Sequence, residues 1–102
     1  MPSSTGDPWL DWLRELLCKI YKEWGGDCET DFPQAASGWV TKVTSAYSQN
    51  GPPTFTDPLK KQQFLDLLDA LEAHLKLPGN SLSSADTNAL LSMIAGLRSG
   101  LS

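Results

Sequence analysis

The residues of this chain that could do chemistry are two cysteines, a single histidine and a short acidic run. Cys18 and Cys28 could form a disulfide, because the chain could fold back at Gly25-Gly26 between them. We nevertheless expect both to stay reduced, since a disulfide scaffold generally uses more cysteines and cytoplasmic chains keep their thiols free. Two cysteines and one histidine also fall short of the four ligands of a structural zinc site. No bound metal is therefore expected.

The acidic run follows the first predicted helix and consists of Asp27, Glu29 and Asp31. Its spacing imitates the first three ligand positions of a calcium-binding loop. That loop also requires glycine at position six and glutamate at position twelve, where this chain has Phe32 and Gly38. The run is therefore interpreted as an acidic turn between helices, with Asp31 and Gln34 forming a capping box for the next helix.

His74 is the only histidine of the chain. Nucleophilic catalysis would require it to meet Cys18 or a serine across the fold, with a third group to orient the imidazole. No third group stands at a diagnostic spacing, and the phosphate-loop, Rossmann, nucleophile-elbow and zinc-protease motifs are absent. We expect His74 on the polar flank of a helix's last turn, where an imidazolium favours the helix dipole. The chain is therefore predicted not to be an enzyme and to use no cofactor.

Tryptophan is the compositional anomaly, with four residues among 102, all before residue 40. They could fill a helical core, or one or two could stay exposed as anchors for a partner, since tryptophan is enriched at binding hot spots. Trp12 is the first choice for exposure, because a helical wheel places it at the edge of the apolar face, whereas Trp9 lies nearer the centre. The predicted partner-binding residues are Trp12, Trp24, Trp9, Lys19 and Glu23.

Four amphipathic helices are predicted to position these side chains, over residues 7–24, 31–49, 57–76 and 83–99. The first and third begin at Asp7-Pro8 and Asp57-Pro58, where an N-cap precedes a proline at the first helical position. The second contains a β-branched run, residues 39–44, that resembles a strand. Strict alternation fails there, while the helical wheel separates apolar from polar residues, so we predict a helix.

The predicted fold is all-α, a small four-helix bundle built from two helical hairpins joined by a Pro/Gly-rich connector at residues 50–53. It forms a single helical domain over residues 1–102, with a short disordered N-terminal segment at 1–6. The predicted core consists of Leu13, Leu16, Leu17, Ile20, Val40, Val43, Tyr47, Phe64, Leu67, Leu68, Leu71, Leu75, Leu90, Ile94 and Leu97.

Charge and hydropathy exclude several classes of partner. Twelve acidic residues against eight basic ones give a net charge of −4, which argues against nucleic acid because neutralising phosphates requires a concentrated basic patch. The polar face of the first helix carries three bases and three acids, so attraction to an anionic membrane surface is missing. With neither a signal peptide nor a membrane-spanning run, we expect a cytoplasmic location, in a cell or in a host cell.

Two classes of function remain. The first is a non-catalytic protein–protein interaction module, such as a regulatory adaptor, assembly factor or inhibitor, that binds another protein through its Trp-rich helical face. The excess apolar width of the first helix favours it. The alternative is a small-molecule carrier or small enzyme with an aromatic-lined pocket between helices, formed by Trp9, Tyr21, Trp24 and Trp39. A homodimer formed through Trp12 is a further alternative for the same face.

Overall fold

The structure is a computed structural model that describes residues 6–101, and all of its regular structure in that range is helical. The predicted all-α bundle is confirmed. Most of the segment predicted to be disordered, residues 1–6, lies outside the described residues. The elements are α1 (Pro8–Tyr21), a 3-10 helix (Lys22–Trp24), α2 (Cys28–Asp31), α3 (Ala36–Asn50), α4 (Pro58–Leu75) and α5 (Ser84–Leu101).

The two helix starts that carry an Asp-Pro pair form as the sequence indicates. The Asp7 carboxylate accepts hydrogen bonds from the backbone N–H groups of Trp9 and Leu10, at 2.9 and 3.4 Å. The Asp57 carboxylate accepts from the N–H of Leu59 at 2.9 Å. Each aspartate thereby satisfies backbone donors that have no partner inside the helix.

The start of the second long helix differs from the prediction. Instead of one helix from residue 31, the chain forms the short α2, capped by Asp27, and α3 begins only at Ala36. The interruption has a local cause, since Phe32 precedes Pro33 and takes an extended conformation with ψ of 124°. The predicted capping box of Asp31 and Gln34 is wrong, because the N-cap of α3 is Ala35, which makes no side-chain cap.

The four long helices pack around a shared core. α1 packs against α3 and α4, and α5 packs against the same two helices. α1 and α5 are therefore diagonal, as are α3 and α4. All predicted core residues are buried except Tyr47 and Leu67, which are half-buried. The structure adds apolar side chains that were not in the predicted core, namely Trp9, Tyr21, Cys28, Phe32, Trp39, Met93 and Leu101.

Two glycines inside helices allow close packing. A Cβ atom at Gly38 would collide with the ring of Pro33, and one at Gly96 would collide with the Tyr47 hydroxyl. A glycine inside a helix costs about 1 kcal/mol relative to alanine. At both positions the glycine allows a neighbouring side chain to lie where a Cβ atom would otherwise be.

Candidate functional site

Trp9 is a structural residue that joins the start of α1 to the end of α4. Its indole stacks on the His74 imidazole, with ring centroids 4.5 Å apart and planes within 14°. The Trp9 Nε1–H donates to the His74 carbonyl oxygen at 3.0 Å, and the His74 Nε2 lies 2.9 Å from the Trp9 carbonyl oxygen. The predicted place of His74 on a polar flank is therefore wrong. The imidazole is buried, and its Nε2 lies within hydrogen-bond distance of a backbone carbonyl oxygen of α1.

Trp24 and Trp39 also have structural partners. The Trp24 Nε1–H donates to the Gly51 carbonyl at 2.9 Å, which ties the end of the 3-10 helix to the connector after α3. The Trp39 Nε1–H donates to the Pro33 carbonyl, and its ring stacks on Phe32 with centroids 6.3 Å apart. Three of the four tryptophans thus have their donor satisfied by backbone, as buried indoles generally do.

Trp12 is the exception. Its side chain is 50% exposed, and within residues 6–101 its indole N–H has no hydrogen-bond partner. Only two other large apolar side chains in the described range are comparably exposed, Leu59 at 65% and Leu77 at 52%. Exposure of Trp12 agrees with the place that the helical wheel gave it. Neither core packing nor hydrogen bonding among the described residues explains why a tryptophan stands at this position.

The exposed side of α1 around Trp12 carries charged neighbours. Trp12, Glu15 and Lys19 follow one another at helical spacing and are all exposed. We call this surface the Trp12 face. Leu59, at the start of α4, and Leu77, just after the end of α4, lie outside that surface.

The structure does not bring the whole predicted set of binding residues together. Trp9 is buried and Trp24 is half-buried at the far end of the 3-10 helix. Lys19 is exposed, two helical turns or about 10 Å beyond Trp12, and it pairs with Glu15 at 3.6 Å. Glu23 is exposed in the 3-10 helix, a further turn away. Sequence reasoning left out Glu15, which is exposed between Trp12 and Lys19 on the same side of α1, although helical spacing could have found it.

The cysteines differ from the prediction. Cys18 and Cys28 form a disulfide, with Cα atoms 5.5 Å apart, so both are oxidised rather than free thiols. The 3-10 helix and Gly25, whose φ is 78°, reverse the chain between them. This turn brings α2 back against α1. The Gly25-Gly26 pair in the sequence indicates a turn that permits this disulfide. The expectation of free thiols, which rests on the small number of cysteines, is wrong.

Two polar contacts accompany the disulfide. The Arg14 guanidinium donates to the Cys28 carbonyl at 3.4 Å and lies 5.7 Å from the Phe32 ring centroid. The Tyr21 hydroxyl donates to the Asp31 carboxylate at 2.7 Å. This bond lowers the pKa of Asp31 below its ordinary value, and the same bond together with burial raises the pKa of Tyr21. Asp31 is thereby kept ionised as an acceptor.

A pocket lined by all four predicted aromatic residues is not present in the described range, because Trp9 and Trp39 lie in the closed core. A groove of about 270 Å³ does bring Tyr21 and Trp24 together, beside Lys42, Ser45 and other polar residues of α3. Within residues 6–101, acidic, cysteine and histidine side chains nowhere cluster in threes that could hold a metal ion. No helix in that range has the length and apolar character needed to cross a membrane.

Comparison of the chain with protein-family models, with curated proteins and with solved structures gives no match. Any function must therefore be inferred from the geometry of the site.

Proposed function

We propose that the chain is a non-catalytic protein–protein interaction module that binds another protein through the Trp12 face. The exposure of Trp12 is the observation that carries this proposal. A half-exposed indole whose N–H has no partner among residues 6–101 offers a large apolar surface and one directed donor, which is the combination that makes tryptophan frequent at binding hot spots.

The contrast with the other tryptophans supports the proposal. Trp9, Trp24 and Trp39 all stabilise the fold through packing and a hydrogen bond from the indole to a backbone carbonyl. Trp12 does neither to a comparable degree, so its apolar area stays available for a partner. The exposed charges of Lys19 and Glu15 beyond it resemble the polar rim that surrounds the apolar centre of many interfaces.

The compartment of the chain bears on how binding is measured. The sequence leads us to propose the cytoplasm, which keeps most thiols reduced, whereas a disulfide such as Cys18–Cys28 is typical of oxidising compartments. Trp12 precedes Cys18 by six residues, about 9 Å along α1, and neither cysteine belongs to the Trp12 face. Binding through Trp12 is therefore expected under both oxidising and reducing conditions, and both are used in the test.

Trp12→Ala is expected to weaken binding of the partner by about 2 kcal/mol or more, which is roughly 30-fold in Kd, while changing the free energy of unfolding little. The wild-type chain and two variants, Trp12→Ala and the control Leu59→Ala, are used as baits in an extract of the source cells. A protein that the wild-type chain retains is then purified and titrated against all three by calorimetry. Leu59→Ala removes an exposed apolar side chain outside the Trp12 face and should bind like the wild type.

Equal Kd values for Trp12→Ala and the wild type would contradict the proposal. Sedimentation of the isolated chain addresses the homodimer alternative. If the chain is a dimer that Trp12→Ala converts to a monomer, the face serves self-association and the claim of a different partner protein fails.

A further inference from the structure

The short helix α2 is weakly packed on the rest of the described chain. Each of the four long helices packs against two of the others. The short α2 has no extensive packing on any of them. Its residues Glu29 and Thr30 are exposed, as is its cap, Asp27. Cys28 is its one buried side chain. Phe32, which follows α2, is also buried and packs on the rings of Tyr21 and Trp39. The attachment of residues 25–32 therefore depends on two buried side chains and a few specific links.

Three links fasten α2 to α1. The Cys18–Cys28 disulfide is covalent. The other two are the hydrogen bonds from Arg14 to the Cys28 carbonyl and from Tyr21 to the Asp31 carboxylate. An ion pair of Arg14 with Glu29 is long, at 3.9 Å, and Glu29 is exposed, so it adds little.

We propose that the Cys18–Cys28 disulfide is a redox-sensitive latch that holds α2 closed and whose reduction opens residues 25–32 while the four-helix core stays folded. The co-reactant is a dithiol reductant. Cys18 is half-buried and Cys28 is buried, so Cys18 is the more exposed of the two cysteines. Accessibility of the attacked sulfur is one of the factors that set the rate of thiol–disulfide exchange.

The exchange is a two-electron reduction of the protein. A thiolate of the reductant attacks the Cys18 Sγ, the S–S bond breaks, and the Cys28 Sγ leaves as a thiolate. The second thiol of the reductant then attacks the mixed disulfide and releases the Cys18 Sγ. The reductant ends as its own disulfide, and the two protons that its thiols lose end on Cys18 and Cys28.

The structural change on opening is expected to be local, because the four long helices pack on one another without help from α2. Residues 25–32 form one side of the Tyr21 environment, since Gly26 lies against the Tyr21 ring and Phe32 packs on it with centroids 5.3 Å apart. Opening of residues 25–32 therefore uncovers the Tyr21 ring and withdraws Phe32 from it. The latch would thus expose or hide an aromatic surface according to the redox state.

Hydrogen exchange read by mass spectrometry tests the latch. Dithiothreitol is expected to speed exchange of the amides in residues 25–32 by at least about ten-fold, while amides at the centres of α3, α4 and α5 change by less than about two-fold. The double variant Cys18→Ser/Cys28→Ser should show the fast pattern without dithiothreitol, and the reagent should not alter it. Re-oxidation of the wild type should restore the slow pattern.

Three results would overturn the latch. Free thiols in the air-oxidised wild type, detected by alkylation, would mean that the bridge does not form. Unchanged exchange in residues 25–32 after reduction would mean that Arg14 and Tyr21 suffice to hold α2. Acceleration of the long-helix cores by the same factor as residues 25–32 would mean that the bridge stabilises the whole fold and no local device exists.

Discussion

Leu68→Ala and Leu71→Ala are each expected to lower the free energy of unfolding by about 2–5 kcal/mol, the range for truncation of a fully buried leucine. Both side chains have no exposed surface. They lie on the central turns of α4, which packs against both α1 and α5. A methyl-lined cavity left at either position would be enclosed by helices that cannot collapse onto it without breaking other contacts.

Denaturant unfolding followed by circular dichroism measures these losses. A small domain is stable by only about 5–15 kcal/mol, so each variant should show a clearly lower midpoint. Leu59→Ala is the matched control, because it makes the same truncation on the same helix at an exposed position. It should stay within about 0.5 kcal/mol of the wild type. Midpoints for Leu68→Ala and Leu71→Ala that match the control would show that the α4 stripe is not core.

Trp39→Ala is expected to be still more damaging, with a loss of about 3–5 kcal/mol. Trp39 is among the largest fully buried side chains of the described residues. Its ring contacts Phe32, and the Arg14 guanidinium lies 5.9 Å from its centroid. Removal of the indole would therefore empty the space between α1, α3 and the segment that leads from α2 into α3.

Trp39→Phe distinguishes the contribution of the buried aromatic ring from that of the indole hydrogen bond. Phenylalanine keeps most of the buried aromatic area and loses the hydrogen bond to the Pro33 carbonyl, so a smaller cost of about 1–2 kcal/mol is expected. The same denaturant titrations measure both variants. If Trp39→Ala and Trp39→Phe destabilise equally, the hydrogen bond alone accounts for the role of Trp39, and the packing explanation is wrong.

The sequence predicts a helix well where the residues that determine its position are close together in the chain. Asp7-Pro8 and Asp57-Pro58 each fix a helix start by capping chemistry that needs no distant partner. The helical period of residues 39–47 correctly outweighed their β-branched composition. The start of α3 was misplaced because the effect of Pro33 on Phe32 was not weighed, although that effect is also local.

The features that depend on distant residues could not be predicted in the same way. A helical wheel for α4 alone places His74 on a polar flank, and only the approach of Trp9 from α1 explains why the imidazole is buried. The disulfide depends on the reversal at Gly25, which sets the 5.5 Å distance between the Cα atoms of Cys18 and Cys28. Cysteine number and an expected compartment carry no information on that distance.

The candidate site was predictable in part. The edge position of Trp12 on the α1 wheel follows from the sequence, and the structure leaves that side chain half-exposed. The hydrogen bonds that make Trp9 and Trp24 structural run to His74 and Gly51, which are far away in the chain.

Fluorine NMR of the chain labelled with 5-fluorotryptophan tests the central claim most directly. Trp12→Phe assigns the resonance of residue 12 among the four. In the free protein that resonance should show the largest shift between H₂O and D₂O, because Trp12 is the most exposed tryptophan. Saturation with the partner protein that the wild-type chain captures should move this resonance most and abolish its solvent shift. A Trp12 resonance that stays unchanged and solvent-exposed in the complex, while that of Trp9, Trp24 or Trp39 moves, would contradict the proposed interface.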